Sequence, residues 1–280
     1  MMNVLEIYGI VYSVKDPAGF GMAEYIIKYY GLEKSNVCKN AITCYVGNNF
    51  VLAGFSEDVI YFDFLDGRLP DKVSRYIVLS RHSSAKKVCS YTVHHTGNFG
   101  PEAPYGGRPR TLSIANPIVS HKLLINLSIL AEEYGRIDEY EVSYEATHHG
   151  PTDVRKPLNF IEIGSTIDEW KDPVNHEIVA LAVIKFLENP NHECIPVTGV
   201  GGGHYPRKHT KMAFEKNYCY GHIMAKYALQ YLSPEILEEM IVKSDPVPQR
   251  IIVEKKGTRR EHRRIIEQYV LNRGIVLEYI

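Results

Sequence analysis

The chain has 280 residues, a length typical of one α/β domain or of one domain with a subdomain. Hydrophobic residues make up 45% and charged residues 23% of it, a balance that excludes disordered, collagen-like and coiled-coil proteins. The 32 Lys and Arg residues nearly cancel the 33 Asp and Glu residues, so any contact with nucleic acid must come from a local basic patch.

The cysteines are widely spread and include no CxxC pair, so we expect neither a disulfide framework nor a structural zinc knuckle. They are Cys38, Cys44, Cys89, Cys194 and Cys219. At the N-terminus, Glu6 precedes any apolar run that could act as a signal sequence, and no window of 18 apolar residues predicts a membrane span. The sequence therefore predicts a soluble protein of the reducing cytoplasm.

The first part of the chain predicts mainly strands. A buried strand covers 3–14, and a Gly/Pro loop separates it from a helix over 22–30 that Gly31 ends. Further short runs rich in Val, Ile, Tyr and Phe also predict strands. These runs are 41–46, 51–54, 59–65, 75–80 and 88–93.

Strands and helices alternate in the middle of the chain. After a Gly/Pro-rich loop at 97–109, a periodic segment predicts a helix over 120–133 with Ser120 as its N-cap. The elements that follow are strand 140–147, strand 159–163, helix 175–188 and strand 194–198. This alternation predicts βαβ crossovers and a partly parallel sheet.

The last third of the chain, about 208–280, is predicted to be mostly helical and to belong to the same single domain, 1–280. Its predicted helices lie near 209–217, 221–231, 234–243 and 259–272, before a final apolar run at 274–280. Between residues 243 and 280 there are nine basic and five acidic residues, the only clear basic bias in the chain.

Histidines follow four of the predicted strands. They are His82, the pair His94 and His95, the pair His148 and His149, and His204. Ligands of α/β sheets bind beyond the carboxyl ends of parallel strands, so we expect these histidines to form one site. Because side chains alternate along a strand, the two histidines of a pair cannot both face it while the chain is extended.

Glu145 lies four residues before His149 and shares its face. Imidazoles and a carboxylate in one cleft could bind Zn²⁺, or could act as a general base and the group that orients it. The alternative is that some or all of these histidines are structural residues bonded to loop carbonyls.

A glycine-rich segment, Gly199 to Gly203, leads into His204. Its backbone N–H groups could hold a phosphate or an oxyanion, and the basic residues that follow, including Arg207, favour an anion site. The segment matches neither GxxxxGK[ST] nor a dinucleotide-binding GxGxxG, and a flexible turn remains the alternative.

Together, four blocks of this sequence resemble the archaeal and plant type of D-aminoacyl-tRNA deacylase. The blocks are Ser80–Ser84, His95–Asn98, Glu145–Pro151 and Gly199–Tyr205. The resemblance implies hydrolysis of the ester between a D-amino acid and the 3′ end of tRNA, with zinc as a cofactor. It also implies an α/β fold of the three-layer α/β/α kind, phosphorylase/hydrolase-like, with a central mixed sheet.

On this interpretation we expect a monomer that binds aminoacyl-tRNA and no membrane. The predicted catalytic residues are His95, Glu145, His149 and His204. The predicted zinc ligands are His82, His95, His148 and His149. The predicted substrate-binding residues are Gly201, Gly202, Gly203, Arg207, Arg259, Arg260 and Arg263.

Two other functions stay open at this point. Three-layer α/β folds with His/Glu clusters also serve zinc peptidases and amidohydrolases that act on small substrates. A non-catalytic RNA-binding protein with structural histidines is the third interpretation. The basic residues near 259–264 could likewise be only a solvated helix face.

Overall fold

The fold consists of a larger and a smaller β-sheet with helices around them. The computed structural model describes residues 6–84, 86–271 and 273–280. Its strands are β1 (Ile7–Ser13), β2 (Thr43–Val46), β3 (Phe50–Phe55), β4 (Val73–Ser83), β5 (Ser90–His94), β6 (Gly97–Asn98), β7 (Thr111–Leu112), β8 (Glu141–Tyr144), β9 (Leu158–Ser165), β10 (Ile195–Val200), β11 (Tyr218–Met224), β12 (Arg250–Val253) and β13 (Val276–Tyr279).

Helices connect most of these strands. The α-helices are α1 (Pro17–Tyr30), α2 (Leu65–Arg68), α3 (Pro117–Glu133), α4 (Ile167–Lys171), α5 (Pro173–Glu188), α6 (Arg207–Lys216), α7 (Pro234–Val242) and α8 (Arg260–Val270). Short 3₁₀ helices cover Val59–Tyr61, Lys226–Tyr231 and Lys255–Gly257. No described helix is both long and apolar enough to cross a membrane.

The larger sheet is mixed. Its strand order is β2-β3-β1-β4-β9-β5-β8, in which β2 with β3 and β5 with β9 are antiparallel pairs and the remaining neighbours are parallel. The smaller sheet has the order β11-β10-β12-β13 and is parallel throughout. Strands β6 and β7 form a separate two-stranded antiparallel sheet.

Helical segments cover both faces of the larger sheet. Helices α1, α3 and α5 pack on the face that carries Ile10, Leu79 and Ile161. The 3₁₀ helix Val59–Tyr61 and helix α2 pack on the other face, against side chains such as Val78. The predicted three-layer α/β/α architecture with a central mixed sheet is therefore confirmed.

Helix α3 lies between the two sheets. It packs against β5, β8 and β9 of the larger sheet and against β10 and β11 of the smaller one. The same buried apolar cluster accordingly includes Leu123 of α3, Ile161 of β9 and Tyr220 of β11. Helices α7 and α8 cover the opposite face of the smaller sheet. One continuous core thus joins the two sheets.

Two predicted boundaries in the first part of the chain are corrected. Segment 59–65 is not a strand, because Val59, Phe62 and Leu65 recur every three residues and are buried on one side of a helical turn. Helix α1 begins at Pro17 rather than at residue 22, because Asp16 accepts a hydrogen bond from the Ala18 N–H at 3.0 Å and caps it. Residues 3–5 of the predicted first strand lie outside the described residues.

Helix α3 also begins earlier than predicted. Its N-cap is Asn116, whose side chain accepts a hydrogen bond from the Val119 N–H at 3.1 Å, and Pro117 occupies the first turn. Ser120 lies inside the helix and instead contacts the His95 ring at 3.2 Å. Pro at the first helical position was the signal for this start, as for α1.

The last third contains more strand than the sequence predicted, although helices still cover about half of it. The predicted helix 221–231 is instead β11 followed by a 3₁₀ helix, and β12 and β13 are further strands. All seven residues of β11 are buried, so the strand shows no alternation of polar and apolar residues that would reveal it. The predicted helix 259–272 is confirmed as α8 as far as Val270; its last predicted residue lies outside the described ones.

Two disulfides correct the expectation that there would be none. Cys38 pairs with Cys44, and Cys194 pairs with Cys219, with Cα atoms 5.9 and 5.8 Å apart. In the second pair, Cys194 directly precedes β10, and Cys219 lies in the neighbouring parallel strand β11. Such proximity arises from strand pairing, which cysteine spacing along the chain does not reveal.

Candidate active site

One face of the larger sheet carries a group of imidazoles and carboxylates, called here the acid–histidine cluster. Its members are His82, His94, Glu145, His148, His149, Glu162 and His204. The strand register explains its centre. Glu162 of β9 is in register with Ser80 of β4 and with Thr92 of β5, so His82 and His94, each two residues further along, share its face.

Because β5 runs antiparallel to β9, His82 and His94 approach Glu162 from opposite directions. The cluster therefore lies across the face of the sheet rather than at a common carboxyl edge. The expectation that these histidines come together is confirmed for all of them except His95, but the predicted reason, parallel strand ends, applies only in part.

Backbone hydrogen bonds hold the segment after β8 in the cluster. The Glu145 N–H donates to the Val93 carbonyl at 3.0 Å, and the Ala146 N–H donates to the His204 carbonyl at 2.8 Å. The Gly97 N–H donates to the His149 carbonyl at 2.8 Å, and His149 itself has a positive φ of 41°. This segment therefore bridges β5 and the loop after β10, and it fixes the positions of both.

Glu145 contacts three imidazoles. Its carboxylate lies 2.8 Å from His204 Nε2, 3.1 Å from His82 Nδ1 and 3.7 Å from His148 Nε2. The Glu145 side chain is fully buried, whereas that of His204 is 31% exposed. A buried carboxylate is thus linked to solvent through the His204 ring.

Glu162 provides the second buried carboxylate. Its Oε2 lies 3.3 Å from His82 Nδ1 and 3.6 Å from His94 Nε2. Although the ion-pair distances are short, several of the buried atoms have no aligned hydrogen bond within the described structure. These atoms are both carboxyl oxygens of Glu145, Glu162 Oε2, and the Nε2 atoms of His82 and His94. Such a concentration of unpaired polar atoms is rare in a folded core and is typical of a functional site.

The electrostatics separate the cluster into charged and neutral groups. Burial lowers the pKa of His82, but the charges of Glu145 and Glu162 outweigh it and raise that pKa to about 10. Burial raises the pKa of Glu162 and Glu145, but the facing histidines hold it at about 2 for Glu162 and well below its usual range for Glu145.

The two consecutive histidines behave differently from His82. Burial and the neighbouring imidazoles lower the pKa of His148 well below its usual value and lower that of His149 to about 4. At neutral pH these two rings are therefore neutral while the carboxylates are ionised. Neutral imidazole and ionised carboxylate are the forms that bind metal ions.

Two overlapping sets of donors could hold a metal ion. One set is His82, Glu145, His148 and His204, and the other is His94, His148 and His149; in each set the donor atoms lie within 4.8 Å of one another. Nitrogen and carboxylate oxygen are ligands that zinc prefers. The unpaired buried atoms and this donor chemistry together fit Zn²⁺.

A cavity of about 560 Å³ opens onto the cluster. Its inner side is formed by His82, His148, His149, Glu162 and His204. Its outer side includes Asp58, Arg81 and Tyr105; the Asp58 and Arg81 side chains form an ion pair at 3.0 Å, and Tyr105 is 67% exposed. Its volume lies in the range of small-ligand sites.

Of the six residues predicted to be catalytic or to bind zinc, the structure brings five together and leaves one out. His82, Glu145, His148, His149 and His204 are members of the acid–histidine cluster.

His95 is not a member, because it follows His94 in the strand and faces the opposite side, toward α3. Its ring nitrogens contact the carbonyls of Leu158 at 3.1 Å and Tyr220 at 3.3 Å. Burial lowers its pKa to about 3, consistent with a neutral structural residue.

Two members of the acid–histidine cluster, His94 and Glu162, were not among the site residues predicted from the sequence. His94 was the alternative to His95, and strand alternation alone could not choose between them. Glu162 had a visible signal, since it is the one charged residue in the otherwise apolar or neutral run 159–163. A buried acid in such a strand requires a partner.

The glycine segment faces a second cavity, of about 710 Å³, called here the basic cavity. It is lined by Gly202, Gly203, Lys226, Glu254, Lys255, Lys256, Gly257, Thr258, Arg259 and Arg263. Gly201 and Gly202 have φ angles of 98° and 88°, which favour glycine. The Gly201 N–H already donates to the Met224 carbonyl at 2.8 Å, so this group is not available to an anion.

The predicted substrate-binding residues therefore do not all lie in one place. Gly202, Gly203, Arg259 and Arg263 line the basic cavity. Arg260 begins α8 and is exposed beside it. Arg207 lies elsewhere, where its guanidinium forms a bidentate pair with Glu141 at 2.6 and 2.8 Å.

Known proteins match this chain along nearly its whole length. Residues 69–278 match the family model described as D-aminoacyl-tRNA deacylase. A curated D-aminoacyl-tRNA deacylase of Desulfurococcus amylolyticus is 57% identical over 273 residues, which are 97% of this chain and 99% of the relative. Another, of Aeropyrum pernix, is 39% identical over 276 residues and has the same coverage.

A solved structure has the same fold. It is described as a conserved protein of unknown function, and it superimposes with a TM-score of 0.90 at 29% sequence identity. The match covers 98% of this chain and 95% of the other. Both sheets and the helices between them therefore belong to the shared fold.

Proposed function

Because the chain belongs to the D-aminoacyl-tRNA deacylase family, whose members are ester hydrolases, we propose that the acid–histidine cluster is its catalytic centre. The bond to be broken is the ester between a D-amino acid and the 3′ end of tRNA. The observation that carries this proposal is the pair of buried carboxylates, Glu145 and Glu162, set among imidazoles with unpaired atoms, next to a cavity that Glu162 and several of these imidazoles line.

His204 and Glu145 are suited to move a proton. His204 lies at the cavity, is partly exposed, and has its Nε2 2.8 Å from a Glu145 carboxylate oxygen. A buried carboxylate beside an imidazole orients the ring and stabilises its protonated form. In the proposal, His204 takes the proton from the attacking water and Glu145 stabilises the resulting charge.

His94, His148 and His149 are suited to hold zinc, whereas the donor set that includes His82 and Glu145 would first require His82 to lose its proton. A bound zinc ion would polarise the ester carbonyl and lower the pKa of a water molecule. His82 faces both carboxylates, so its positive charge keeps them ionised at neutral pH.

The basic cavity is suited to the phosphates of the tRNA acceptor end. Its lining has five cationic side chains and one acidic one, in a chain whose overall charge is close to zero. Contacts to phosphate supply most of the sequence-independent affinity of proteins for nucleic acid. Because His204 directly follows Gly203, the two cavities are neighbours along the chain. A tRNA substrate implies an enzyme of the cytoplasm that acts in translation quality control.

The test compares D-tyrosyl-tRNA and L-tyrosyl-tRNA as substrates for the wild-type chain and for Glu145→Gln. We expect release of tyrosine from the D-substrate only, and a loss of roughly 10²–10³-fold in kcat/KM in the variant, because the carboxylate that orients His204 and His82 is removed. The matched control is Glu141→Gln, four residues earlier, which breaks only the pair with Arg207 and should keep full activity.

Equal hydrolysis of both substrates, or an unchanged rate in Glu145→Gln, would contradict the proposal. Cleavage of small peptides without any action on D-tyrosyl-tRNA would support a peptidase instead. Metal analysis of the purified chain, paired with a chelator in the same assay, tests the zinc.

A further inference from the structure

A second group of metal-binding side chains lies outside the acid–histidine cluster. His121 projects from α3, whereas His192 and Cys194 lie on the segment between α5 and β10. One ring nitrogen of each histidine and the sulfur of Cys194 lie within 4.8 Å of one another. None of these residues lines the cavity that opens onto the acid–histidine cluster.

Hydrogen bonding prepares His121 as a ligand. Its Nε2 lies 3.1 Å from the Ala213 carbonyl, which can only accept, so Nε2 carries the hydrogen and Nδ1 has the lone pair. That Nδ1 lies 2.6 Å from His192 Nε2. An imidazole that donates through one nitrogen to a backbone carbonyl and offers the other is the usual arrangement of a metal-bound histidine.

The third donor changes with oxidation state. In the structure, the sulfur of Cys194 is bonded to that of Cys219, and a reductant would separate the two. Once reduced, the Cys194 sulfur becomes a thiolate donor beside two imidazoles. A set of two histidines and one cysteine, with a fourth position open to water, suits a borderline ion such as Zn²⁺.

We propose that His121, His192 and Cys194 form a second metal site, specific for Zn²⁺-like ions, that is available only when the Cys194–Cys219 disulfide is reduced. A dithiol reductant supplies the two electrons and two protons that convert the disulfide to two thiols and is itself oxidised to a disulfide. Binding of the ion then releases the Cys194 thiol proton to solvent.

The geometry of the histidine pair must open for this to happen. A tetrahedral ion with bonds of about 2.0–2.3 Å needs donors about 3.3–3.8 Å apart, so the two rings must separate by roughly 1 Å. His121 is buried and held by Ala213, whereas His192 is partly exposed on a segment without regular secondary structure. His192 is therefore the residue that moves.

The metal site and the disulfide would both anchor the segment that precedes β10. The disulfide joins the start of β10 to β11, and the metal would join the same segment to α3, which packs on β11. Oxidation and metal binding are thus alternative cross-links at one place in the fold.

The experiment uses Co²⁺ as the probe, because a cobalt–thiolate bond gives a near-ultraviolet charge-transfer band that histidine and glutamate ligands do not give. The full-length chain is reduced with a dithiol, freed of the reductant, and titrated with Co²⁺. We expect one thiolate-bound Co²⁺ per chain in the reduced protein and no such band in the oxidised protein. Added Zn²⁺ should remove the band.

His192→Ala and Cys194→Ser should each abolish the band, with folding checked by far-ultraviolet circular dichroism. Because His192 is partly exposed, its replacement leaves the core intact. The control is Cys89→Ser, which removes the cysteine that is unpaired in the structure and should leave the band unchanged.

A second control, Cys38→Ser with Cys44→Ser, removes the other reducible pair and should also leave the band unchanged. Absence of the band in the reduced wild-type chain, its persistence in His192→Ala, or its loss in Cys89→Ser would overturn the proposal. The readout is independent of deacylation, so it stands or falls separately from the proposed catalytic centre.

Discussion

Glu162 is the residue on which the geometry of the cluster depends most. It lies in β9 between Ile161 and Ile163, whose side chains point to the opposite face and pack into the main core. The side chains of His82 and His94 reach it from strands on either side. A charge in this position has to be balanced by its neighbours, since an isolated buried carboxylate would be strongly destabilising.

Replacing Glu162 by Gln should therefore reduce activity without displacing the strand. The amide keeps the size of the side chain but removes the negative charge that faces His82 and His94, and we expect a loss on the order of 10²-fold in kcat/KM on D-tyrosyl-tRNA. Fluorescence of Trp170, whose indole N–H donates to the His82 carbonyl at 2.9 Å, checks that the local fold is kept. Full activity together with native fluorescence would show that Glu162 does not contribute to the proposed catalytic centre.

Asp16 makes a separate prediction about pH and stability. It is buried, accepts the Ala18 and Arg81 backbone N–H groups at 3.0 and 2.8 Å, and caps α1. Burial raises its pKa to about 6, because the loss of hydration outweighs these hydrogen bonds and the nearby Arg81 charge. Between about pH 4 and pH 6 the folded chain thus binds more protons at this residue than the unfolded chain, whose Asp pKa is about 3.9.

Stability should therefore fall as pH rises through that window, by about 2 kcal/mol from this group. Asn at position 16 keeps one acceptor oxygen for the Ala18 N–H but loses the second, which accepts from the Arg81 N–H, and it does not ionise. Apart from a pH-independent cost of that lost bond, Asp16→Asn should therefore be more stable relative to wild type at pH 7 than at pH 4 by about 2 kcal/mol. Denaturant unfolding at the two pH values measures it. Asp168→Asn, at an exposed position, is the control and should show no comparable change; an identical pH dependence in wild type and Asp16→Asn would refute the prediction.

At the scale of elements, the proposed contact between the basic cavity and tRNA depends on α8 and the residues before it. Arg259 is 82% exposed and has only a long contact of 3.6 Å to Glu261, so its charge is available to a phosphate. Arg207 has a comparable exposure but is already paired with Glu141. The two arginines therefore make a matched comparison.

Arg259→Glu should weaken tRNA binding and reduce the slope of log affinity against log salt by about one for the phosphate that the variant no longer neutralises. Arg207→Glu should leave both almost unchanged. Binding of deacylated tRNA, measured over a range of salt concentrations, provides the comparison. Equal effects in the two variants would show that general charge is responsible and would exclude the basic cavity as the tRNA-binding surface.

The helices and strands that could be predicted from the sequence are those with a clear pattern of apolar residues. Strands β1 and β3 and helices α3 and α5 were predicted because their apolar runs are long. The first residues of helices α1 and α3 were predicted too late, because the proline that begins each helix is also common in loops. Strands β11 and β12 were missed because residues buried on both faces do not alternate.

At the scale of the whole molecule, the two sheets share one apolar core through α3. We therefore expect the chain to unfold in a single transition. Trp170 is the one tryptophan of the chain and lies on α4, beside the larger sheet, so its fluorescence follows that region. Far-ultraviolet circular dichroism follows all helices, including α7 and α8 on the smaller sheet.

The two signals should give coincident unfolding curves in denaturant. Two separate midpoints would instead mean that the last third of the chain is an independent domain, contrary to the predicted single domain over 1–280.

The composition of the site was more predictable than its arrangement. Histidines after several strands, with Glu145 nearby, could be gathered from the sequence because each follows a strand. The choice of His94 over His95, and the role of Glu162, depend on which face each strand turns to the cavity and on the antiparallel pairing of β5 with β9. Those relations exist only in the assembled sheet.

His204 follows β10, which pairs with β11 and β12, whereas the other members of the cluster come from the larger sheet. While the polypeptide is still emerging from the ribosome, the strands that hold β10 in place have not all been made. The Glu145 carboxylate then has no His204 ring beside it. With the proposed role of His204, competence for ester hydrolysis is acquired only near the end of biosynthesis, and a prematurely terminated product would be inert toward charged tRNA.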